Sequence, residues 1–333
     1  MIRRTLYIAI IAALLFFVFA FFTLDPVPTE RTYGVSFSNF HAEELGLDWK
    51  ETYVAILDDL KVRKLRIPAY WPNVEPTQDA YAWEDLDYQI REAEKRDAKI
   101  VLAVGRRLPR WPECHIPGWA KELSWENQQK EILQYMTATV ERYRNEKSIE
   151  YWQIENEPYL NAFANEHCGD LDESFLLKEI ALVKSLDTRP ILVTDSGNLG
   201  KWWGPYKNGD AFGTSMYIYF WSPEIGQFTT KLPPLVYRLK ERVMQIFFGA
   251  KQSFLIELAL EPWLPEPTVT APIEKQLSRM DLAKIDEILA YAAKTGFETQ
   301  YLWGAEWWYY MKGKEHPEFW EKAKSIYVGN KAQ

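Results

Sequence analysis

The sequence predicts an α/β fold, a (β/α)8 TIM barrel preceded by a single N-terminal transmembrane helix. Three observations predict it. Eight short apolar runs recur along the chain, amphipathic stretches separate them, and one uncharged run near the N-terminus is about as long as a bilayer helix requires. The chain has 333 residues, and a barrel of this kind uses about 250 plus insertions. The expected segmentation is 1–24 as a cytoplasmic stub and signal-anchor helix, 25–32 as a linker, and 33–333 as the barrel.

The N-terminal run is Leu6–Leu24, preceded by Arg3 and Arg4. A removable signal has a shorter apolar region and a small-residue cleavage site. Here the run ends Phe19-Ala20-Phe21-Phe22 without a small-x-small pair, which favours an uncleaved anchor. Basic residues ahead of the segment place the N-terminus in the cytoplasm and the remainder outside the membrane. If the segment is cleaved, the remainder is secreted. Asp25–Thr32, with two prolines, reads as the linker.

The strand candidates are Tyr33–Ser38, Lys64–Ile67, Ile100–Val104, Tyr151–Ile154, Ile191–Thr194, Phe212–Tyr217, Phe254–Glu257 and Gln300–Trp303. Between them, apolar residues at three- and four-residue spacing predict helices. Asp48 caps a helix to Lys61. Asp85–Arg96 carries Leu86, Ile90 and Ala93 on one face, and Trp125–Arg144 carries Ile132, Leu133, Met136 and Val140. Asp172 caps a helix to Leu186, and Leu235–Phe248, Leu282–Ala293 and Glu318–Tyr327 follow. The weakest helical pattern lies around Gly200–Asp210. An open doubly wound sheet is the alternative, but the chain has no G-x-G-x-x-G phosphate turn.

Net charge is −8 and no basic stripe recurs, which argues against a nucleic-acid partner. The four His are scattered and no Cys or His cluster has metal-ligand spacing, so neither a metal nor a cofactor is expected. The 15 Trp are the unusual figure; such residues pack cores or line binding clefts. Cys114 and Cys168 fall in the expected loops after the third and fourth strands, where a disulfide between them is a hypothesis.

In a barrel the reactive side chains sit at the C-terminal strand ends. The fourth strand runs into Glu155-Asn156-Glu157-Pro158, and the seventh ends Phe254-Leu255-Ile256-Glu257. Strands four and seven face each other across the mouth, so Glu157 and Glu257 can flank one bond. Retaining glycosidases use such a pair about 5–5.5 Å apart. One carboxylic acid protonates the leaving oxygen, the other attacks the anomeric carbon, and water later releases the sugar. Glu261, before Pro262, is a competitor for the second position. Glu257 is preferred because it directly ends the apolar run.

Asn156-Glu157-Pro158 after a fourth strand, with Glu257 after a seventh, resembles the glycoside hydrolases of clan A. These include family 5 cellulases and mannanases and family 42 β-galactosidases. Leu65-Arg66-Ile67-Pro68-Ala69-Tyr70-Trp71, followed by Glu75-Pro76, Tyr81, Trp83 and Asp87, is similar to the clan's second unit. The resemblance covers essentially the whole chain from Tyr33 onward. It implies that Glu157 is the acid/base and Glu257 the nucleophile. It further implies that Arg66 braces that nucleophile, that Tyr217 hydrogen-bonds it, and that Asn156 binds the sugar 2-hydroxyl. Trp303 or Trp307, from Trp303-Gly304-Ala305-Glu306-Trp307, would be the sugar platform. The chain departs from the family 5 pattern at Ser215-Met216-Tyr217, where His-x-Tyr is common, and at Gln78-Asp79, where Pro-Gly is common.

The function this implies is hydrolysis of a β-glycosidic bond in an oligo- or polysaccharide by a membrane-anchored enzyme working outside the membrane. The alternatives are transglycosylation with the same two Glu residues and a non-catalytic carbohydrate-binding barrel. Binding alone does not need the carboxylate pair.

Overall fold

The computed structural model describes residues 2–160, 165–169, 171–222 and 225–329. The ends of the expected segmentation, 1 and 330–333, lie outside them. Eight parallel strands close into a barrel: Thr32–Ser36, Lys64–Pro68, Lys99–Val104, Ile149–Ile154, Ile191–Ser196, Ala211–Met216, Ser253–Ala259 and Thr299–Trp303. Closure comes where the first strand pairs with both the eighth, Val35 opposite Leu302, and the second, Ser36 opposite Arg66.

Alternation along the strands separates two apolar layers. Ile100, Leu102 and Val104 belong to the large cluster between strands and helices, whereas Val101 packs with Leu192, Phe254, Ile256 and Tyr301 in a smaller one. The smaller cluster fills the barrel interior. Among the described residues, five helices begin at a side-chain cap, the first being Asn39–Glu44, where Ser38 accepts from His41 N. Asp48 accepts from Lys50 N and Glu51 N, Ser124 from Asn127 N, Asp172 from Phe175 N and Asp281 from Lys284 N. Each cap stabilises its helix by about 1 kcal/mol.

The strand candidates fall on the eight barrel strands with small differences at the ends. Tyr217 lies one residue beyond the sixth strand, and the seventh runs on past Glu257 to Ala259. The weak pattern around Gly200–Asp210 becomes the short helix Trp203–Asn208. A hairpin, Tyr219–Ser222 with Gly226–Thr229, is added at the mouth after the sixth strand. The helix Ile2–Phe22 stands outside the barrel. Its window Thr5–Phe22 has a mean hydropathy of 2.7 and is long and apolar enough to cross a membrane.

Candidate active site

The fourth strand delivers its residues through a tightly held turn. Glu155 and Glu157 both adopt left-handed backbone, with φ of 56° and 44°. Each such residue costs roughly 1–2 kcal/mol. The neighbouring strands hold the turn in place: Glu155 N donates to Val104 O, Asn156 N to Arg107 O at 2.6 Å, and Glu157 N to Thr194 Oγ1 at 2.8 Å. Glu155 itself is committed to structure. Its carboxylate accepts the backbone N–H groups of Arg106 and Arg107.

Glu257 reaches the mouth by a different device. Strict alternation from Phe254 and Ile256, both in the interior layer, would turn Glu257 outward. The register against both neighbouring strands slips at this point: Leu255 faces Thr214 while Glu257 faces Ser215, and Leu255 faces Gln300 while Leu258 faces Leu302. The extra residue is a β-bulge, and it re-aims the Glu257 side chain inward.

There Glu257 meets Arg66, whose side chain is fully buried. Arg66 Nη1 donates to Glu257 Oε1 at 2.5 Å, Nε to Gln153 Oε1 at 2.7 Å, and Nη2 to Asn156 Oδ1 at 2.6 Å. Tyr217 donates its hydroxyl proton to Glu257 Oε2 at 2.8 Å. Burial and the Glu257 and Glu157 carboxyls hold that hydroxyl well above the usual tyrosine range, so it stays a donor. Because Arg66 can only donate, it fixes the Asn156 amide with Oδ1 toward the guanidinium and Nδ2 on the other side.

Glu157 has the opposite surroundings. It is 6% exposed, and its Oε1 is buried without a hydrogen-bond partner. Burial pushes its carboxyl well up, and the negative charges of Glu257 and Glu113 push it further. The mouth thus holds one carboxyl gripped by two donors beside another that burial and neighbouring charge push toward its protonated form. This division of environments is what separates a nucleophile from a general acid.

Around the pair lies a network that sequence reasoning missed. Arg110, on the loop after the third strand, forms an ion pair with Glu261 and donates to Glu306 Oε2 at 3.1 Å. Glu306 Oε1 accepts from Ser38 N at 2.6 Å. Burial alone would raise Glu261, but the Arg110 charge and the bonds from Arg110 and Trp303 outweigh it and hold that carboxyl below its usual range. Burial, with Arg110 beside it, drives His41 down to about 3, so the ring is neutral. These partners come from four separate strand ends, which no local motif links. The one signal was Glu306, an acid within an otherwise aromatic run, subject to the same burial argument as Glu257. Glu261, the competitor for the second position, is bound to Arg110 and to Trp303 Nε1 rather than to Arg66.

The two platform candidates separate. Trp303 ends the eighth strand, donates Nε1 to Glu261 Oε1 at 2.7 Å, and has the Arg110 guanidinium 4.0 Å from its ring centre. Trp307 is not at the mouth, and this corrects the sequence reading. Gly304, at φ 124°, ends the strand and starts the helix Ala305–Gly313. That carries Trp307 into the core, where it is 1% exposed, donates to Gln276 Oε1 and packs on Phe319. Cys114 and Cys168 form a disulfide that joins the loops after the third and fourth strands. Arg107 crosses the same gap, with Nε on Glu113 at 3.1 Å and Nη1 on Leu160 O at 2.8 Å. Among the described residues no group of His, Cys, Asp or Glu is arranged to hold a metal ion.

No family model matches the sequence, and no curated protein matches it. Solved structures share the fold. A β-galactosidase from the haloarchaeon Halorubrum lacusprofundi superposes with a TM-score of 0.54 at 14% identity, over 82% of this chain and 52% of that one. A GH5_18 protein from Bifidobacterium longum, in complex with Manβ1-4GlcNAc, gives 0.56 at 11% identity, over 82% and 68%. The AHE enzyme from Alicyclobacillus herbarius gives 0.54 at 13% identity, over 84% and 89%. This chain spans about half the length of the β-galactosidases it matches, 52–53%.

Proposed function

We propose that the chain is a clan A glycoside hydrolase that cleaves a β-glycosidic bond with retention, tethered to a membrane by its N-terminal helix. The observation that carries this reading is the asymmetry of the two carboxyls. Glu257 accepts from Arg66 and Tyr217, while Glu157 is buried with an unpartnered oxygen and pushed up by its neighbours. The shared barrel fold with glycoside hydrolases supports the same reading.

In the first step Glu257 Oε attacks the anomeric carbon as the glycosidic C–O bond breaks. Glu157 delivers its proton to the departing oxygen. The sugar is then bonded to Glu257, whose negative charge is consumed. With that charge gone, Glu157 becomes a base, takes a proton from water, and the water oxygen displaces Glu257. Arg66 and Tyr217 aim the nucleophile, each donating to one of its two oxygens. Asn156 offers Nδ2 to the 2-hydroxyl, a contact that strengthens as positive charge develops on the ring. Trp303, at the eighth strand end, is the sugar-platform candidate. The substrate is an oligo- or polysaccharide; retention of both carboxylates disfavours a barrel that only binds.

The test is a panel of activated aryl β-glycosides, with proton NMR of the first-formed product anomer. The β-anomer is expected from the native chain. Glu257→Gln is expected to lose turnover, and Glu157→Ala to recover it with azide, an anionic nucleophile that needs no general base in the second step. Unchanged turnover in both variants, or an inverted first product, refutes the mechanism.

A further inference from the structure

The outer face of the barrel carries an aromatic cluster that the chemistry does not use. Trp203 packs on Phe247 and Phe248, with ring centres 5.1 and 4.6 Å away. Yet Trp203 and Phe247 remain 46% and 54% exposed. Both belong to helices that precede barrel strands, Trp203–Asn208 and Pro234–Phe248. A helix that follows one parallel strand and feeds the next runs antiparallel to them. The C-terminal end of Pro234–Phe248 therefore lies at the strands' N-terminal face, opposite the mouth.

The N-terminal helix packs along this same element. Phe16 meets Phe247 with ring centres 5.8 Å apart, Arg242 Nε donates to Thr23 Oγ1 at 3.0 Å, and Arg238 Nη2 donates to Asp25 O at 2.7 Å. Residue numbers rise along one helix as they fall along the other, so the two run antiparallel. Thr23 closes the apolar helix. From Thr23 back to Phe16 is about 10 Å along the axis, and from Arg242 to Phe247 about 8 Å, at 1.5 Å per residue. If the apolar helix crosses a bilayer, Arg238 and Arg242 stand at its outer boundary and Phe247 lies about that far inside it. This is the depth to which interfacial helices bury their apolar face, roughly 5–10 Å. Aromatic rings below and arginines above match the two zones of a membrane interface. Glu241 and Asp25 are acidic groups beside these arginines; Lys207 ends the Trp203 helix, and Lys251, with Asp210 near it, donates to the carbonyls of Tyr206 and Gly209.

We propose that the barrel is seated in the membrane surface, with Trp203, Phe247 and Phe248 immersed in the lipid beside the N-terminal helix and the active-site mouth directed away from the bilayer. The proposal rests on the reading of that helix as a membrane span. It adds an orientation and a substrate class: saccharide approaching from the aqueous side, rather than the headgroup of a glycolipid in the same membrane.

The experiment uses the full chain in vesicles of phosphatidylethanolamine and phosphatidylglycerol at 3:1. A nitroxide is placed on Phe247→Cys, on Trp203→Cys as a second report from the patch, and on Ile225→Cys in the hairpin at the mouth; Cys114 and Cys168 are already paired. Power-saturation EPR then compares access of oxygen with access of a water-soluble nickel chelate. Positions 247 and 203 are expected to favour oxygen, at a depth of about 5–10 Å, and position 225 to favour nickel. Nickel access at 247 and 203 equal to that at 225, in chain that carbonate does not extract, overturns the seating and leaves the span intact. Release of the chain by carbonate overturns both. Low access to both reagents at 247, with spin–spin broadening that dilution with unlabelled chain removes, assigns the patch to a second copy and also overturns the proposal.

Discussion

Replacing Arg66 with methionine removes the guanidinium that donates to Glu257. The pair is almost fully enclosed, with side-chain exposures of 0% and 4%, so solvent screens little of the effect. Breaking one partner from a buried ion pair costs about 3–5 kcal/mol, because the remaining charge is left uncompensated. Gln153 Oε1 and Asn156 Oδ1 lose their donor as well, although both amides can rotate to other partners. For a domain of this size 1 kcal/mol moves the melting midpoint by about 2–4 °C. Arg66→Met is therefore expected to lower it by roughly 6–20 °C. The informative variant is the double one. Adding Glu257→Gln removes the stranded charge while keeping a group that accepts from Tyr217, and more than half of the lost stability is expected to return. The measurement is thermal unfolding by near-UV circular dichroism on the full chain in detergent, read as a double-mutant cycle. If the double variant melts at the sum of the two single losses, Arg66 and Glu257 are not an energetically coupled pair and the proposed brace is wrong.

Activity is expected to fall on the alkaline side as Glu157 gives up its proton. Since the Glu113 charge helps push that carboxyl up, Glu113→Gln is expected to move the alkaline limb of kcat/KM to lower pH, read from a pH–rate profile; a shift to higher pH contradicts the assignment. Cys168→Ser opens a cross-link between residues 54 apart, and chain-entropy reasoning gives a loss of about 4 kcal/mol, to be measured by thermal unfolding beside the native chain under oxidising conditions. Trp303→Ala is expected to raise KM or lower kcat with the fold intact, whereas Trp307→Ala is expected to cost about 3–5 kcal/mol in stability; steady-state kinetics and melting curves on both variants separate the two roles.

Much of the barrel was legible because parallel strands buried on both faces read as short apolar runs, and Ile100–Val104 or Ile191–Thr194 can hardly be anything else. The strand ends were less so. Glu157 was found through its position before Pro158, but nothing in the sequence marks Glu155 and Glu157 as left-handed. Glu257 was placed at the mouth for an incomplete reason: alternation would have turned it away, and only the bulge, a register effect between strands distant in sequence, turns it in. The choice between Trp303 and Trp307 depended on where the eighth strand stops, and it stops before Gly304, where a helix takes over. The Arg110, Glu261, Glu306 and His41 network was invisible, since each member is an ordinary charged residue until closure of the barrel brings its partners together.

The central claim is that Glu257 carries the sugar between the two half-reactions. A series of 2-deoxy-2-fluoro-β-glycosides with good leaving groups, in the gluco, galacto and manno configurations, slows release of the glycosyl-enzyme. Mass spectrometry of the digested protein then locates the bound sugar. The expected result is a single adduct on the peptide containing Glu257, formed as activity is lost and absent in Glu257→Gln. An adduct on Glu261, or turnover of the unfluorinated glycosides with no adduct from any of the series, contradicts the account.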